Sequence, residues 1–206
     1  MGKRYAMLID LRKCVGCHAC TVACKSENNV PLGVFRSWVE EQEKGKFPNV
    51  SRLRLPRLCN QCENPPCVKV CPVKATYPLQ DGEIIVNYDR CIGCGFCISA
   101  CPYDARFINQ ERRTAEKCTY CNDRLAAGLQ PACVNTCVSG ARVFGDINDP
   151  NSEISKLIAS KPTTVSKPEL NTRPQTYYIG ADEKALRPNL LEIIESGILE
   201  KAGGEK

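Results

Sequence analysis

Apolar residues in this chain fall in short runs between polar turns, and no run reaches the roughly eighteen residues that a membrane-spanning helix needs. Residues 4–10 carry Ala6, Met7 and Leu8 between charged ends, which predicts one buried strand. Residues 51–55 alternate through Leu53 and Leu55 and predict a strand leading into Cys59. Asp81-Gly82 separates strand-like residues 75–80 from 83–86, the signal of a hairpin. Residues 105–109 and 141–146 predict further strands, and 122–128 a short helix ending at Gly128. A helix capped by Asn151 or Ser152 is expected over 151–160, then an irregular stretch over 161–174 and an edge strand over 176–180. Beyond residue 180, Leu186, Leu190, Ile193, Ile194 and Leu199 recur at helical spacing, predicting a tail that folds back on the core or docks on a partner. Residues 25–57 are polar and charged, around Pro31, Gly33 and Trp38. They read as a surface excursion with Phe35 and Trp38 in a small satellite core, or, more sharply, as a docking surface with aromatic anchors.

Cysteines interrupt this pattern in four groups of four. Cys91, Cys94, Cys97 and Cys101, followed by Pro102, have the bacterial ferredoxin spacing C-x2-C-x2-C-x3-C-P. Cys59, Cys62, Cys67 and Cys71, followed by Pro72, repeat it with two extra residues before the third cysteine. Cys14, Cys17, Cys20 and Cys24 keep the spacing but are followed by Lys25. Cys118, Cys121, Cys133 and Cys137 read C-x2-C-x11-C-x3-C and are followed by Val138. A tight loop with a cysteine at every third residue wraps three corners of a 4Fe–4S cube, and Gly93 and Gly95 give the backbone freedom to come close. The fourth cysteine falls where the loop turns into a helix, so it points away and serves a neighbouring cube.

That rule predicts four ligand sets. Cys59, Cys62 and Cys67 are completed by Cys101, and Cys91, Cys94 and Cys97 by Cys71. The outer quartets, which share the missing proline, are left to pair: Cys14, Cys17 and Cys20 with Cys137, and Cys118, Cys121 and Cys133 with Cys24. The expected fold is α+β, with two bacterial-ferredoxin-like units, one nested within the other, small hairpins and an extended C-terminal tail. The outer unit takes residues 1–58 and 102–150, the inner unit 59–101, and the extension 151–206. The strands at 4–10 and 141–146 flank the outer quartets and are expected to join one sheet.

Composition supports this chemistry more than its rivals. Sixteen cysteines in 206 residues fit a disulfide scaffold in number, but such proteins are shorter and secreted, and the start of this sequence shows no apolar signal region. The fourth quartet, taken alone, also fits a structural zinc site. The formal charge of +5 counts thiols as neutral; sixteen thiolates under four oxidised cubes of about +2 each turn it negative, so it does not argue for nucleic acid. His18 is the single histidine and is read as a non-ligand, since cysteines already fill every corner. No dinucleotide fingerprint, phosphate loop or catalytic constellation is present, so no catalytic residue is expected. Four fully ligated clusters suit electron relay rather than catalysis.

The four quartets, in this order and spacing, resemble the iron–sulfur subunit of the dimethyl sulfoxide reductase family of molybdenum oxidoreductases over residues 4–180, all sixteen cysteines included. E-N-N-V-P-L-G-V-F at 27–35, C-E-N-P-P-C-V-K-V-C-P at 62–72 and C-I-S-A-C-P-Y-D-A-R at 97–106 look most like the electron-transfer subunit of polysulfide or thiosulfate reductases. The resemblance implies a molybdopterin-containing catalytic subunit and a quinone-binding integral membrane subunit as partners, with electrons passing between them through four 4Fe–4S clusters. It also implies export on the catalytic subunit's signal to the periplasmic face, the cytoplasmic face staying open. The alternatives are service to another acceptor (arsenate, dimethyl sulfoxide, tetrathionate), to a formate dehydrogenase or hydrogenase, or life as a free polyferredoxin. Val138 departs from the proline that often follows the last cysteine in relatives, which leaves the turn after Cys137 open.

Overall fold

A computed structural model describes residues 2–181 and 186. The first strand, β1 (Tyr5–Asp10), is buried from Ala6 onward. α1 (Ala19–Asn28) leaves the first cysteine loop and runs ten residues, a length that Lys25 rather than proline after Cys24 permits. β2 (Ser37–Lys46) and β3 (Asn49–Leu58) form a hairpin paired from Ser37↔Leu58 to Lys46↔Asn49. α2 (Pro66–Lys69) leads out of the second loop into the hairpin of β4 (Thr76–Pro78) and β5 (Ile84–Val86), turned at Gly82 with φ +81°. α3 (Phe96–Ser99) and the hairpin of β6 (Arg106–Asn109) and β7 (Thr114–Lys117) repeat that plan after the third loop. α4 (Asn122–Ala126) and α5 (Ala132–Asn135) lie inside the fourth quartet, and β8 (Arg142–Asp146) follows it. α6 (Glu153–Ser160), β9 (Thr164–Val165), a 3-10 turn at Pro168–Leu170 and β10 (Thr176–Ile179) complete the described residues.

The expected strands at 4–10 and 141–146 do share a sheet. Its order is β8-β1-β10-β9, with β1 antiparallel to β8 and parallel to β10. Met7 and Ile9 face the main core while Ala6 and Leu8 face α6 through Ile154, so β1 is apolar on both sides, as a central strand must be. The edge position expected for residues 176–180 is corrected: β10 lies inside the sheet, with Thr176, Tyr178 and Ile179 buried, and the two-residue β9 covers its free side. The helix over 151–160 is capped by Ser152, whose Oγ accepts the Ser155 N–H at 3.2 Å.

The excursion over residues 25–57 is also corrected. Its second half is the paired β2–β3 hairpin, and Trp38 packs against the main core rather than a satellite. Phe35 stays half-exposed, with the Lys25 ammonium 4.6 Å over its ring. In the tail, Leu186 is buried, and Ser166 Oγ donates to its carbonyl at 3.2 Å. Leu190, Ile193, Ile194 and Leu199 lie outside the described residues. Among the described residues no helix is long and apolar enough to cross a membrane.

The core itself is partly sulfur. Cys20, Cys59, Cys118 and Cys133 are buried in one cluster with Met7, Ile9, Leu55, Leu58, Tyr120 and Phe144. The small hydrophobic interior and the cysteine loops are therefore one structure.

Candidate metal centres

The loops reach their shape through left-handed residues. Gly16 and Gly93, each two residues after the first cysteine of its run, have φ of +72° and +66°. His18 (φ +56°) occupies the place of Gly95 (φ +78°), each capping the helix that leaves the loop. After the fourth cysteine the same turn recurs three times: Cys71-Pro72-Val73-Lys74-Ala75, Cys101-Pro102-Tyr103-Asp104-Ala105 and Cys137-Val138-Ser139-Gly140-Ala141. Lys74, Asp104 and Gly140 hold φ of +52°, +51° and +60°. Val138 thus leaves the turn unchanged.

This turn aims backbone N–H groups at sulfur. The Ala75 N–H donates to Cys71 Sγ at 3.2 Å. Burial pushes the Cys71 thiol up, but the N–H groups of Thr76, Ala75, Val73 and Lys74 bring it below its ordinary value. Burial likewise opposes the N–H groups of Arg142, Ala141 and Ser139 at Cys137, and the donors win there too.

Cysteines from separate runs come together. One small cavity is lined by Cys59, Cys62, Cys67 and Cys101, with Arg106 in its wall. Another is lined by Cys14, Cys17, Cys20 and Cys137, with Arg142. The Asn28 amide stands 3.8 Å from both Cys24 Sγ and Cys121 Sγ, and Cys24 is flanked by Cys133 and Cys121. Cys71 follows α2, which packs on α3, the helix that carries Cys97. Cys17 and Cys94 are exposed, whereas Cys24, Cys118, Cys121 and Cys133 are all buried.

Such grouping is unfavourable for bare thiolates. Burial and the like charges of Cys133 and Cys121 push the Cys24 thiol up to about 12. Burial and the charge of Cys59 do the same to Cys62. Four thiolates can share so dry a space only if positive charge is placed among them, and a cube of iron and sulfide supplies it. Among the described residues no three His, Cys, Asp or Glu side chains converge as a single ion would require. Four cysteines standing around a cavity, with N–H groups turned on the sulfurs, suit a cluster.

Several residues at these sites escape a reading of the cysteine spacing. Arg106 Nη2 donates to Cys67 Sγ at 3.1 Å, and the Arg142 charge opposes burial at Cys133. Their shared signal is the repeat C-P-Y-D-A-R and C-V-S-G-A-R, an arginine five residues after the fourth cysteine. Gln61, between Cys59 and Cys62, donates through Nε2 to the Cys118 carbonyl at 2.8 Å and accepts from the Ile84 N–H at 2.8 Å. Lys117, directly before Cys118, is buried on the same partners.

Comparison with known proteins places the chain among cluster-binding families. Family models described as a 4Fe-4S dicluster domain match residues 10–75 and 50–147. A tetrathionate reductase subunit of Salmonella typhimurium is 52% identical over 190 residues, covering 90% of this chain and 76% of the relative. A polysulfide reductase subunit of Wolinella succinogenes is 46% identical over 182 residues, covering 87% of this chain and 95% of the relative. A selenate reductase subunit of Mesobacillus selenatarsenatis is 43% identical, covering 85% and 72%. Sixteen cysteines and two dicluster domains correspond to four 4Fe–4S clusters. This protein belongs to the iron–sulfur electron-transfer subunits of the dimethyl sulfoxide reductase family of molybdenum oxidoreductases, and its own role is relay rather than catalysis.

Proposed function

We propose that this protein carries electrons along four clusters held by exchanged ligands. Cys14, Cys17, Cys20 and Cys137 hold the first, and Cys118, Cys121, Cys133 and Cys24 the second. Cys59, Cys62, Cys67 and Cys101 hold the third, and Cys91, Cys94, Cys97 and Cys71 the fourth. The observation that carries this is the pair of cavities in which three cysteines of one run meet the fourth cysteine of another. Each bound cube accepts and releases one electron while its ligands stay in place. The chain's residues fix the spacing, exclude water and turn N–H groups on the sulfurs.

The outer unit, residues 1–58 and 102–150, encloses the inner one, 59–101, and the pairing of β1 with β8 supports that nesting. Exchange of ligands makes the first cluster neighbour the second, and the third the fourth. The hydrogen bond from Gln61 to the Cys118 carbonyl supports the second and third as the middle pair. The ends are then the sets that contain exposed Cys17 and exposed Cys94, where partners would dock.

The partners of this reading are a molybdopterin catalytic subunit and a quinone-binding membrane subunit, assembled on the periplasmic face. Relatives named as tetrathionate and polysulfide reductase subunits support a sulfur compound as the distant substrate. The test is Cys137→Ser in the purified complex, followed by electron paramagnetic resonance of the reduced protein. The altered signal is expected to match that of Cys17→Ser. A match to Cys121→Ser instead would overturn the exchange. Purification as a stable monomer without a molybdenum-containing partner would overturn the assembly.

A further inference from the structure

Arg106, Lys117 and Arg142 are 5%, 1% and 3% exposed. Among the described residues none of the three forms an ion pair with a carboxylate. Buried Arg36 shows the usual arrangement, since it is matched by Glu116. Glu83 feels the charge of Lys117 without pairing to it. Three desolvated, unmatched cations in one small core demand compensating negative charge.

Their positions identify it. Arg106 donates from Nη2 to Cys67 Sγ at 3.1 Å and from Nη1 to Thr76 Oγ1 at 3.2 Å, and the charge of Cys97 also reaches it. It therefore touches a ligand of the third set and lies within the field of a ligand of the fourth. Arg142 lines the cavity of Cys14, Cys17, Cys20 and Cys137, and its charge, against burial, lowers the pKa of Cys133 and is felt by Cys20, so it stands beside the first and second sets. Its Nη2 donates to Ser37 Oγ at 3.0 Å, while buried Nη1 has no partner. Lys117 donates all its capacity between the two middle sets: to Gln61 Oε1 at 3.3 Å, to the Cys118 carbonyl at 2.8 Å and to the Ile84 carbonyl. Burial lowers the pKa of Lys117 and the Arg106 charge adds to that, while the charges of Cys59, Cys118 and Cys67 oppose it and favour the ammonium.

We propose that these three residues are positioning cations, one at each of the three steps along the wire: Arg142 between the first and second clusters, Lys117 between the second and third, and Arg106 between the third and fourth. This rests on the ligand sets proposed above. An added electron makes a site more negative, so a fixed cation beside it favours the reduced form. A cation shared by two neighbours favours the electron on either side of the step, which raises both potentials without biasing direction. It also offsets repulsion between adjacent reduced sites. Arginine suits the task because it stays charged however deeply it is buried.

The test is a potentiometric titration of the purified complex, monitored by electron paramagnetic resonance, with iron measured in every variant. Arg106→Gln keeps a donor for Cys67 and drops the charge, while Arg106→Lys keeps the charge; Arg142 is treated alike, and Lys117→Met removes the middle cation. In each charge-removing variant the two flanking midpoints are expected to fall, each by about tenfold in the reduction equilibrium, about 59 mV for one electron. The other two clusters should stay put, and the lysine variants should return to the wild-type values. Unmoved midpoints at full iron content would overturn the inference. So would a shift at one cluster only, or an equal shift in the lysine variant. Iron loss common to the glutamine and lysine variants would mark the arginine as a packing element and overturn it as well. A wrong set of ligands is told apart by Cys137→Ser, whose signal is assigned without reference to potentials.

Discussion

Arg36 and Glu116 meet at 3.1 Å with side chains only 6% and 1% exposed. Arg36 also donates from Nη1 to Asn28 Oδ1 at 2.8 Å, and Glu116 accepts from Asn109 Nδ2 at 2.9 Å. Asn28 carries its amide to buried Cys24 and Cys121, so the pair ties the start of the β2–β3 segment to those cysteines. Removing one partner strands a buried charge, at a cost of about 3–5 kcal/mol. Arg36→Met and Glu116→Gln should each lower the temperature at which anaerobic protein loses its visible absorbance. Arg36→Met with Glu116→Met should cost less than either single change, because no lone charge remains. Additive losses would show that the pair is not the source.

Gly93 and Gly95 both hold positive φ, yet only one faces an obstacle. A Cβ on Gly93 would stand 2.5 Å from the Arg113 carbonyl oxygen, a rigid backbone atom, whereas a Cβ on Gly95 would meet nothing within 4 Å. His18 already fills the place of Gly95 in the first loop. Gly93→Ala should therefore displace the third loop and lower iron by about a quarter, one cluster in four. Gly95→Asn should keep all its iron and lose on the order of 1 kcal/mol from left-handed strain. Iron analysis of the two variants, purified without oxygen, decides the point.

What the sequence reveals follows from locality. The Asp81-Gly82 hairpin, the Ser152 cap and the strands beside the quartets each depend on residues a few positions apart, and each is found. In the β2–β3 hairpin the Leu53 and Leu55 alternation reveals β3, while β2 is hidden because charge rather than apolar alternation lines it. Arg52 pairs with Glu43 at 2.6 Å and with Glu41 at 3.3 Å, and Arg57 with Glu40 at 2.9 Å. The interior place of β10 is hidden for another reason: its partner β1 lies far away along the sequence. Lys117 carries no signal at all, since a lysine before a cysteine reads as surface until Gln61 and Ile84 are seen to enclose it.

Glu83 links folding to pH. Burial raises its carboxyl above the ordinary value, the Asn122 hydrogen bond pulls it back, the Asp81 charge pushes it up and the Lys117 charge lowers it. One oxygen accepts from Asn122 Nδ2 at 2.9 Å, while Oε1 is buried without a partner. A folded value above the unfolded one means that the contribution to stability is complete below the unfolded value, about pH 4, and is lost as pH rises through the folded value. Glu83→Gln holds the neutral form throughout. It should match the wild type on the acid side and exceed it at pH 8 by on the order of 1 kcal/mol. Denaturant midpoints at several pH values, taken anaerobically, would show the gap opening with pH; a gap that is constant, or that opens toward acid, would refute this.

Proline after the fourth cysteine is a choice with consequences that can be exchanged between quartets. α2 and α3 last four residues each and stop before Cys71-Pro72 and Cys101-Pro102, whereas α1 runs through Lys25 to Asn28. Lys25 does more than continue the helix. Its Nζ donates to the Pro31 and Val34 carbonyls at 2.6 and 2.8 Å, and its own carbonyl accepts from the Val30 N–H at 3.1 Å. Lys25→Pro would remove one helical hydrogen bond, clash with the turn before it and release those carbonyls, a loss of about 3 kcal/mol or more. It would also withdraw Asn28 from Cys24 and Cys121, so oxygen should bleach the cluster there faster. Val138 is 78% exposed and already sits in the turn that Pro72 and Pro102 make elsewhere. Val138→Pro should thus change stability by no more than about 0.5 kcal/mol. Thermal midpoints and bleaching rates of the two variants, measured side by side, should differ sharply; equal effects would mean that the missing proline, and not the helix it permits, is what separates the outer quartets from the inner.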